Sequence, residues 1–485
     1  MPKMHNPFLA ICFSSLLFLS QFISPQQSHA ETQLPDIGGS GYSIISLQQE
    51  YNLGRAWARM LRGSAKIYED ALVSQYVEDL TWSLVTHSQL TDRRLEILVL
   101  DNPSINAFAA PGGIIGVHTG LILTAKNEGQ LASVLAHELA HLSQRHFAAQ
   151  LEEQRQNRPF FLLSMLGSLL VAAADPEAGM VALQSTMASS ASSKLSFSRQ
   201  NEREADYLGM QTLTSAGYSP YAMAEMFNQL QEAARFSRVP PEFLLTHPVT
   251  QSRVSDALNR AEQFKNKEQR LNTFHFNIIR ARVQAHYAKD KTQLLEKYEA
   301  LKQKASTDDL LYAIAFTAIQ NKKFDLAKQE MKNFSSQFKK RLSARLLKAE
   351  LLMAQEKYRE AVAEFEKLRG LYPDNHAVSY LYAESLLHLG QPAKASQIYE
   401  ALLENQPDDS RAWYLLAESY GLEGNIVGVH EARIEYFLLT ANVDRALKQV
   451  DYALRDPQLS SHEKARLEQR KEDALQIRKS LEMRP

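Results

Sequence analysis

Within Leu131–His146, which reads LASVLAHELAHLSQRH, the residues His137, Glu138 and His141 form an H-E-x-x-H pattern. On a helix, residues four apart lie one turn above the other on the same face, so both imidazoles can aim at one ion. Glu138, beside the first imidazole, is then placed to take a proton from a water that the ion activates. That is the chemistry of a zinc hydrolase. The apolar neighbours Leu131, Val134, Leu135, Leu139 and Leu142 bury this stretch as one uninterrupted helix, and two buried imidazoles with a carboxylate need partners. A catalytic zinc takes three protein ligands and keeps a position for water. The third is sought in Arg199–Gly209, where Glu202 and Asp206 are four apart on one helical face. If Glu202 ligates, Asp206 can hydrogen-bond a ligating imidazole, while Glu204 points elsewhere.

The elements that must position these residues change character along the chain. From about 45 to 125 helix and strand signals mix, and after about 126 everything reads as helix. Arg94–Asp101, with the run LEILVL, and Gly113–His118 read as strands. Asn102-Pro103 and Pro111-Gly112-Gly113 are turn signals, leaving Ile105–Ala109 as a short extended piece between them. The expected result is a small antiparallel sheet flanked by helices, with Ile105–Ala109 free to pair with an extended peptide. For Asn106 itself a turn-forming role after Pro103 is the competing reading. Phe160–Ala174 carries no charge over 15 residues, too short to span a bilayer, and reads as a buried helix or as a lid or membrane-facing surface over the site. The Ala/Ser-rich stretch Ser185–Ser198 suits a mobile loop beside it.

The second half repeats with a period of 34 residues. Ala315, Ala349, Ala383 and Ala417 fall on it, as do Ala327, Ala361 and Ala395, with Pro373 and Pro407 where repeats would end. Small residues let two helices cross closely, bulky ones such as Phe365, Tyr399, Trp413 and Tyr420 fill the neighbouring groove, and proline ends a helix. This pattern resembles the tetratricopeptide repeat, over 307 to about 440, with a capping pair from Asp444 to about Leu481 and a weaker upstream continuation at Ala281. In the fourth unit Val429 replaces the second small residue, which puts that unit's second helix in question.

The chain of 485 residues has 45% hydrophobic and 22% charged residues, a globular balance. Its 54 Lys+Arg against 55 Asp+Glu give a net charge of −1, which leaves no whole-chain field for nucleic acid or an anionic membrane. Lys3 precedes an apolar run from Pro7 to Ile23 that leads to Ser28 and Ala30, the layout of a secretory signal peptide cleaved after Ala30. The single cysteine, Cys12, lies inside it, so the exported chain has neither disulfides nor thiol chemistry. The expected organisation is a signal peptide over 1–30, a metallopeptidase domain over 31–270 and repeats with capping helices over 271–485.

HExxH followed by E-x-x-x-D about 60 residues on resembles the gluzincin peptidases of the M48 family, which includes the CAAX prenyl protease and the heat-shock protease HtpX. Asn106-Ala107-Phe108-Ala109, Gly120-Leu121, and His247-Pro248 with Arg253 following extend the likeness over about 90–255. Those two relatives have transmembrane helices, and this sequence shows none. The resemblance implies a mainly α fold with a small β-sheet followed by an α-solenoid. It assigns His137, His141 and Glu202 as ligands of one Zn2+ per chain, and Glu138 as the general base. His247 is then either a donor to the transition-state oxyanion or a fourth ligand that holds the enzyme latent. The combination of leader, peptidase and repeats is similar to a periplasmic branch of the family that serves outer-membrane protein assembly. It implies misfolded or stalled β-barrel proteins as substrates and the barrel-assembly machinery and lipopolysaccharide-transport barrel as partners. It leaves room for peripheral membrane contact and none for nucleic acid. The competing function is a chaperone or adaptor whose zinc is latent or structural.

Overall fold

A computed structural model describes residues 46–155, 167, 198–236, 240–264, 273–457 and 459–482. The leader with Cys12, the apolar run 160–174 apart from Gly167, and the loop 185–198 apart from Ser198 lie outside the described residues. Helix α1 (Leu47–Ser64) starts at Ser46, whose hydroxyl accepts from the Gln49 amide while the Gln49 side chain returns to the Ser46 amide. Helix α2 (Ala71–Val85) is capped by Asp70, which accepts from the amides of Leu72 and Val73. Three strands follow: β1 (Glu96–Leu100), β2 (Ala107–Ala110) and β3 (Ile114–His118).

The sheet order is β1-β3-β2, and the sheet is mixed, which corrects the antiparallel expectation. β2 and β3 form an antiparallel hairpin, Ala107 opposite Val117 and Ala110 opposite Ile114, whereas β1 pairs with β3 in parallel, Glu96 opposite Ile114. Gly112 and Gly113, at φ +72° and +80°, supply the left-handed turn that folds β3 back onto β2. The loop after β1 reverses the chain and also carries it one strand across, leaving the lane between β1 and β2 for β3. Among the described residues β2 is therefore an edge strand.

Helices α3 (Thr119–Thr124), α4 (Glu128–Ser143), α5 (His146–Arg155), α6 (Arg199–Ser215), α7 (Tyr221–Phe236), α8 (Phe243–Thr246) and α9 (Gln251–Ala261) complete the first half. The helix carrying HExxH stops at Ser143, so the expectation of an unbroken helix to His146 is corrected. Arg145 adopts φ 51°, a left-handed conformation, and its Nε lies 2.9 Å from Glu50 Oε2 on α1, which holds the break in place. Leu131, Leu135 and Leu139 of α4 join Met210 and Leu213 of α6, Met226 and Leu230 of α7, and Val73 and Val77 of α2 in one core.

The second half is a series of helical pairs: α10 (Thr273–Tyr287) with α11 (Lys291–Lys302), α12 (Asp308–Gln320) with α13 (Phe324–Lys332), α14 (Leu342–Ala354) with α15 (Tyr358–Leu371), α16 (His376–His388) with α17 (Pro392–Asn405), α18 (Ser410–Glu423) with α19 (Ile426–Leu439), and α20 (Val443–Ala453) with α21 (Ser461–Glu482). Every alanine of the 34-residue pattern is buried. The second helix of the fourth unit does form. Gly428, against the Tyr420 ring and Asn425, and the buried Ala432 provide the small surfaces that Val429 does not. Among the described residues no helix is long and apolar enough to cross a membrane.

Helix α10 belongs to both halves, with Phe276, Ile279 and Val283 in the first core and Ile278, Ala281 and Ala285 in the repeat core. From its middle the buried Arg282 reaches Asp70 (Nε–Oδ2 2.6 Å), Glu350 (Nη2–Oε1 2.5 Å) and the Tyr312 hydroxyl (2.8 Å), with its guanidinium 4.2 Å from the Phe316 ring centroid. Removing one member of such a buried network strands the others. Arg282→Ala is therefore expected to lower unfolding stability by about 3–5 kcal/mol. Urea unfolding followed by far-UV circular dichroism checks this, and a midpoint equal to that of the native chain refutes it.

Candidate metal centre

The site is assembled where α6 crosses α4. A Cβ added to Gly209 would lie 3.1 Å from both N and Cα of His137, a tight contact that the bare backbone of glycine avoids. The crossing places Glu202 and Asp206, both buried, beside the two histidines of α4. His137 Nε2 and His141 Nε2 are 3.1 Å apart, and Glu202 Oε1 lies 3.4 Å from His141 Nε2, with its Oε2 3.6 Å from His137 Nε2. Asp206 Oδ1 is 3.1 Å from Nδ1 of His137, which leaves Nε2 to face the cluster.

His247, the residue after α8, enters from the opposite side. Its Nδ1 lies 2.9 Å from Glu202 Oε1 and 3.4 Å from His137 Nε2, and its ring stacks on Phe243 at 4.8 Å between centroids. Donor atoms of His137, His141, Glu202 and His247 all fall within 4.8 Å of one another, a set able to hold a metal ion. The Phe243 amide donates to the Ile105 carbonyl at 3.2 Å, and Glu242 lies 3.3 Å from the Ser104 hydroxyl, so α8 is tied to the loop that leads into β2. Burial pushes the Glu242 carboxyl up to about 7.

Glu138 is fully buried, 3.6 Å from His247 Nε2, and neither oxygen accepts a well-formed hydrogen bond. Burial pushes its carboxyl above the usual range, against the pull of His247 and His137 and a weaker one from the Ala109 amide. Burial acts on Glu202 in the same sense, yet the charges and hydrogen bonds of His247 and His141 outweigh it and hold Glu202 well below. Burial lowers His141 well below its ordinary value; for His247 the negative charges of Glu202 and Glu138 overcome burial and favour the imidazolium.

Every residue singled out for the site is thus in or beside one cluster: His137, His141, Glu202 and His247 at its centre, Glu138 and Asp206 against it. Glu204 stays out, 3.4 Å from His146 at the cluster's margin. Asn106 is buried with its side-chain amide turned to the Glu242 carboxyl, while its carbonyl accepts from the His118 amide at 3.0 Å. Two participants escape the motif reading. Arg253 on α9 binds Glu202 Oε2 at 2.6 Å and Asp206 through Nε and Nη2 at 2.7 Å each, a two-pronged pairing that a lone Arg six residues after His247 does not announce. His146 Nδ1 lies 2.9 Å from His141 Nδ1, carried there by the break at Arg145.

An H-E-x-x-H helix crossed by a helix that contributes a buried glutamate, beside an open sheet edge, defines a metallopeptidase, here with a repeat array attached. A model of peptidase family M48 matches residues 71–261, and one of the tetratricopeptide repeat matches 352–418. The chain is 34% identical over 462 residues to the β-barrel assembly-enhancing protease of Escherichia coli O157:H7, covering 94% of each chain, and 32% identical to its Yersinia pestis counterpart, covering 95% of this chain and 96% of that one. A shorter likeness, 35% over 153 residues, is to the mitochondrial metalloendopeptidase OMA1 of Arabidopsis thaliana, covering 32% of this chain and 29% of the relative. The chain belongs to the family of β-barrel assembly-enhancing proteases.

Because Arg253 is the cation that faces both Glu202 and Asp206, Arg253→Gln is expected to cost about 3–5 kcal/mol, and Arg253→Lys, which keeps charge and loses the fork, less. Thermal unfolding of both variants in chelator checks this; equal midpoints for the two would remove the geometric part of the argument.

Proposed function

We propose that the chain is a zinc endopeptidase that binds one Zn2+ through His137, His141 and Glu202. Two imidazole nitrogens and a carboxylate oxygen suit zinc, and the observation that carries the reading is their convergence beside the fully buried carboxylate of Glu138. When bound, the ion supplies Lewis-acid polarisation of the scissile carbonyl and lowers the pKa of water. Glu138 accepts the proton of the attacking water at a carboxylate oxygen and delivers it to the leaving amine. A raised carboxyl affinity for the proton suits a group that must hold it between those events. Asp206 keeps Nε2 of His137 turned to the cluster. Arg253 fixes the Glu202 carboxylate, and His247, whose Nε2 faces Glu138, donates to the oxyanion.

Substrate is held as an added strand. The hydrogen bond of His118 N to Asn106 O sets the phase of the hairpin, so the amide and carbonyl of Ala107 and Ala109 point away from β3, toward the open edge. Backbone pairing of this kind reads an extended chain without reading its side chains. Unfolded or stalled polypeptides therefore fit better than folded ones.

The wider assignment rests on the relatives and the leader. We place the enzyme in the periplasm, exported by cleavage after residue 30. The peptidase domain then covers 31–270 and the repeats 271–485. There it degrades misassembled outer-membrane β-barrel proteins and promotes the assembly of productive ones. The barrel-assembly machinery and the lipopolysaccharide-transport barrel are the partners of its repeats. One observation favours a second reading: His247 contributes a fourth donor atom to the cluster, and a fourth protein ligand would close the site and leave a latent enzyme that acts mainly as chaperone or adaptor.

Cleavage of an unfolded test protein by the purified chain, with zinc counted, tests both. Glu138→Gln is expected to keep its zinc and lose about 10²–10⁴ in rate, and His141→Ala to lose zinc. Zinc retained in full by His141→Ala sinks the ligand assignment. His247→Ala separates the readings: cleavage falls if His247 stabilises the oxyanion and rises if it occludes the ion.

A further inference from the structure

Beyond the end of β2 lies a cleft that the reaction above does not use. Its walls are Leu47 of α1, Leu90, Leu142 of α4 and Phe147 of α5, and it opens onto Ala109 of the edge strand and His141 of the metal cluster. Leu47 stands at the rim with 44% of its surface exposed, while Leu90 is buried. The break between α4 and α5 makes the floor: left-handed Arg145 turns back across the cleft to Glu50 at 2.9 Å. The remaining acid, Asp92, is paired with Arg94 at 2.6 Å. Every charge on this wall therefore already has its counter-charge. An incoming charged side chain would lose water and gain no partner, while an apolar one would cover the three leucines and Phe147.

We infer that this cleft is a substrate subsite for one large apolar side chain, Leu, Met, Phe or Tyr, on the amino-terminal side of the cleaved bond. The side follows from strand direction. A peptide added antiparallel to β2 runs from the Ala110 end toward Ala107, so what reaches the cleft, at the Ala110–Gly113 end, precedes the bond held at Glu138. Sequence-blind pairing along the edge strand then combines with one selective pocket. The enzyme marks exposed apolar residues in unfolded chains, the residues a correctly assembled protein would hide. The inference rests on the peptidase reading of the metal centre.

Mass-spectrometric mapping of cut sites in an unfolded protein, followed by kcat/KM on paired peptides carrying Leu or Ser, tests it with the zinc-loaded chain. Within about three residues before the bond, Leu is expected to exceed Ser by about 10- to 100-fold. Leu47→Glu, at an exposed rim position that folding tolerates, keeps its zinc. It is expected to shrink that ratio to about threefold and move the preference at the same position toward Lys and Arg. Leu90→Ala, which enlarges the pocket, shifts it from Leu toward Phe and Tyr. A site preference identical in the native chain and Leu47→Glu overturns the subsite while leaving the peptidase intact, as does a preference that lies only after the bond. Absence of any cleavage by the zinc-loaded native chain and by His247→Ala overturns the peptidase reading and the subsite with it.

Discussion

The structure turns on a charge that the buried site must balance. Glu138, Glu202 and Asp206 are buried together, and one guanidinium, that of Arg253, reaches two of them. Carboxylates are not removed from water without compensation, and the proposed divalent cation among His137, His141 and Glu202 would supply what Arg253 does not. The same imbalance draws His247 toward the charged form, so this imidazole is attracted to the place a cation would take.

Holding such a set in register needs backbone contacts that side chains alone could not provide. At Gly209, α6 reaches the main chain of His137, so the helix that carries Glu202 and Asp206 packs backbone to backbone against the HExxH helix. Glu128, at the start of α4, accepts from both Tyr76 and Tyr218 at 2.8 and 2.9 Å, which ties the same helix to α2 and to the turn after α6. Only His247 stands on a short element, held by Phe243 and the Ile105 carbonyl. The three residues assigned to the metal therefore lie on packed helices, and the fourth donor follows a single helical turn.

How much of this could be read from the residues depends on range. The HExxH spacing and the Glu202–Asp206 pair are four-residue relations within one helix, and helical geometry alone carries them into the structure. The alanine period is legible for the same reason: each small residue marks a crossing between neighbouring helices. The misread features are relations between segments. Strand order depends on where the loop after β1 delivers β2, and no local pattern shows that lane. The break at Arg145 depends on Glu50, 95 positions away, which makes a left-handed arginine tolerable in a stretch otherwise suited to helix. Arg253 was visible as part of the family likeness but without a role, although the rule that buried carboxylates need partners could have supplied one. In the fourth repeat the small residue had moved one place, to Gly428, where a search for alanine at fixed spacing passes over it.

The repeats are part of this arrangement as well. Two faces of α10 are buried in two different cores, and Arg282 from its middle joins Asp70, the cap of α2, to Glu350 of α14. Further along, the array returns to the first half: the Ala377 amide donates to Gln75 on α2, Arg411 reaches the Glu69 carbonyl, and Gly63 of α1 lies against the Thr440 carbonyl. An array anchored at its start and again at its third, fourth and fifth pairs cannot swing as a tethered arm.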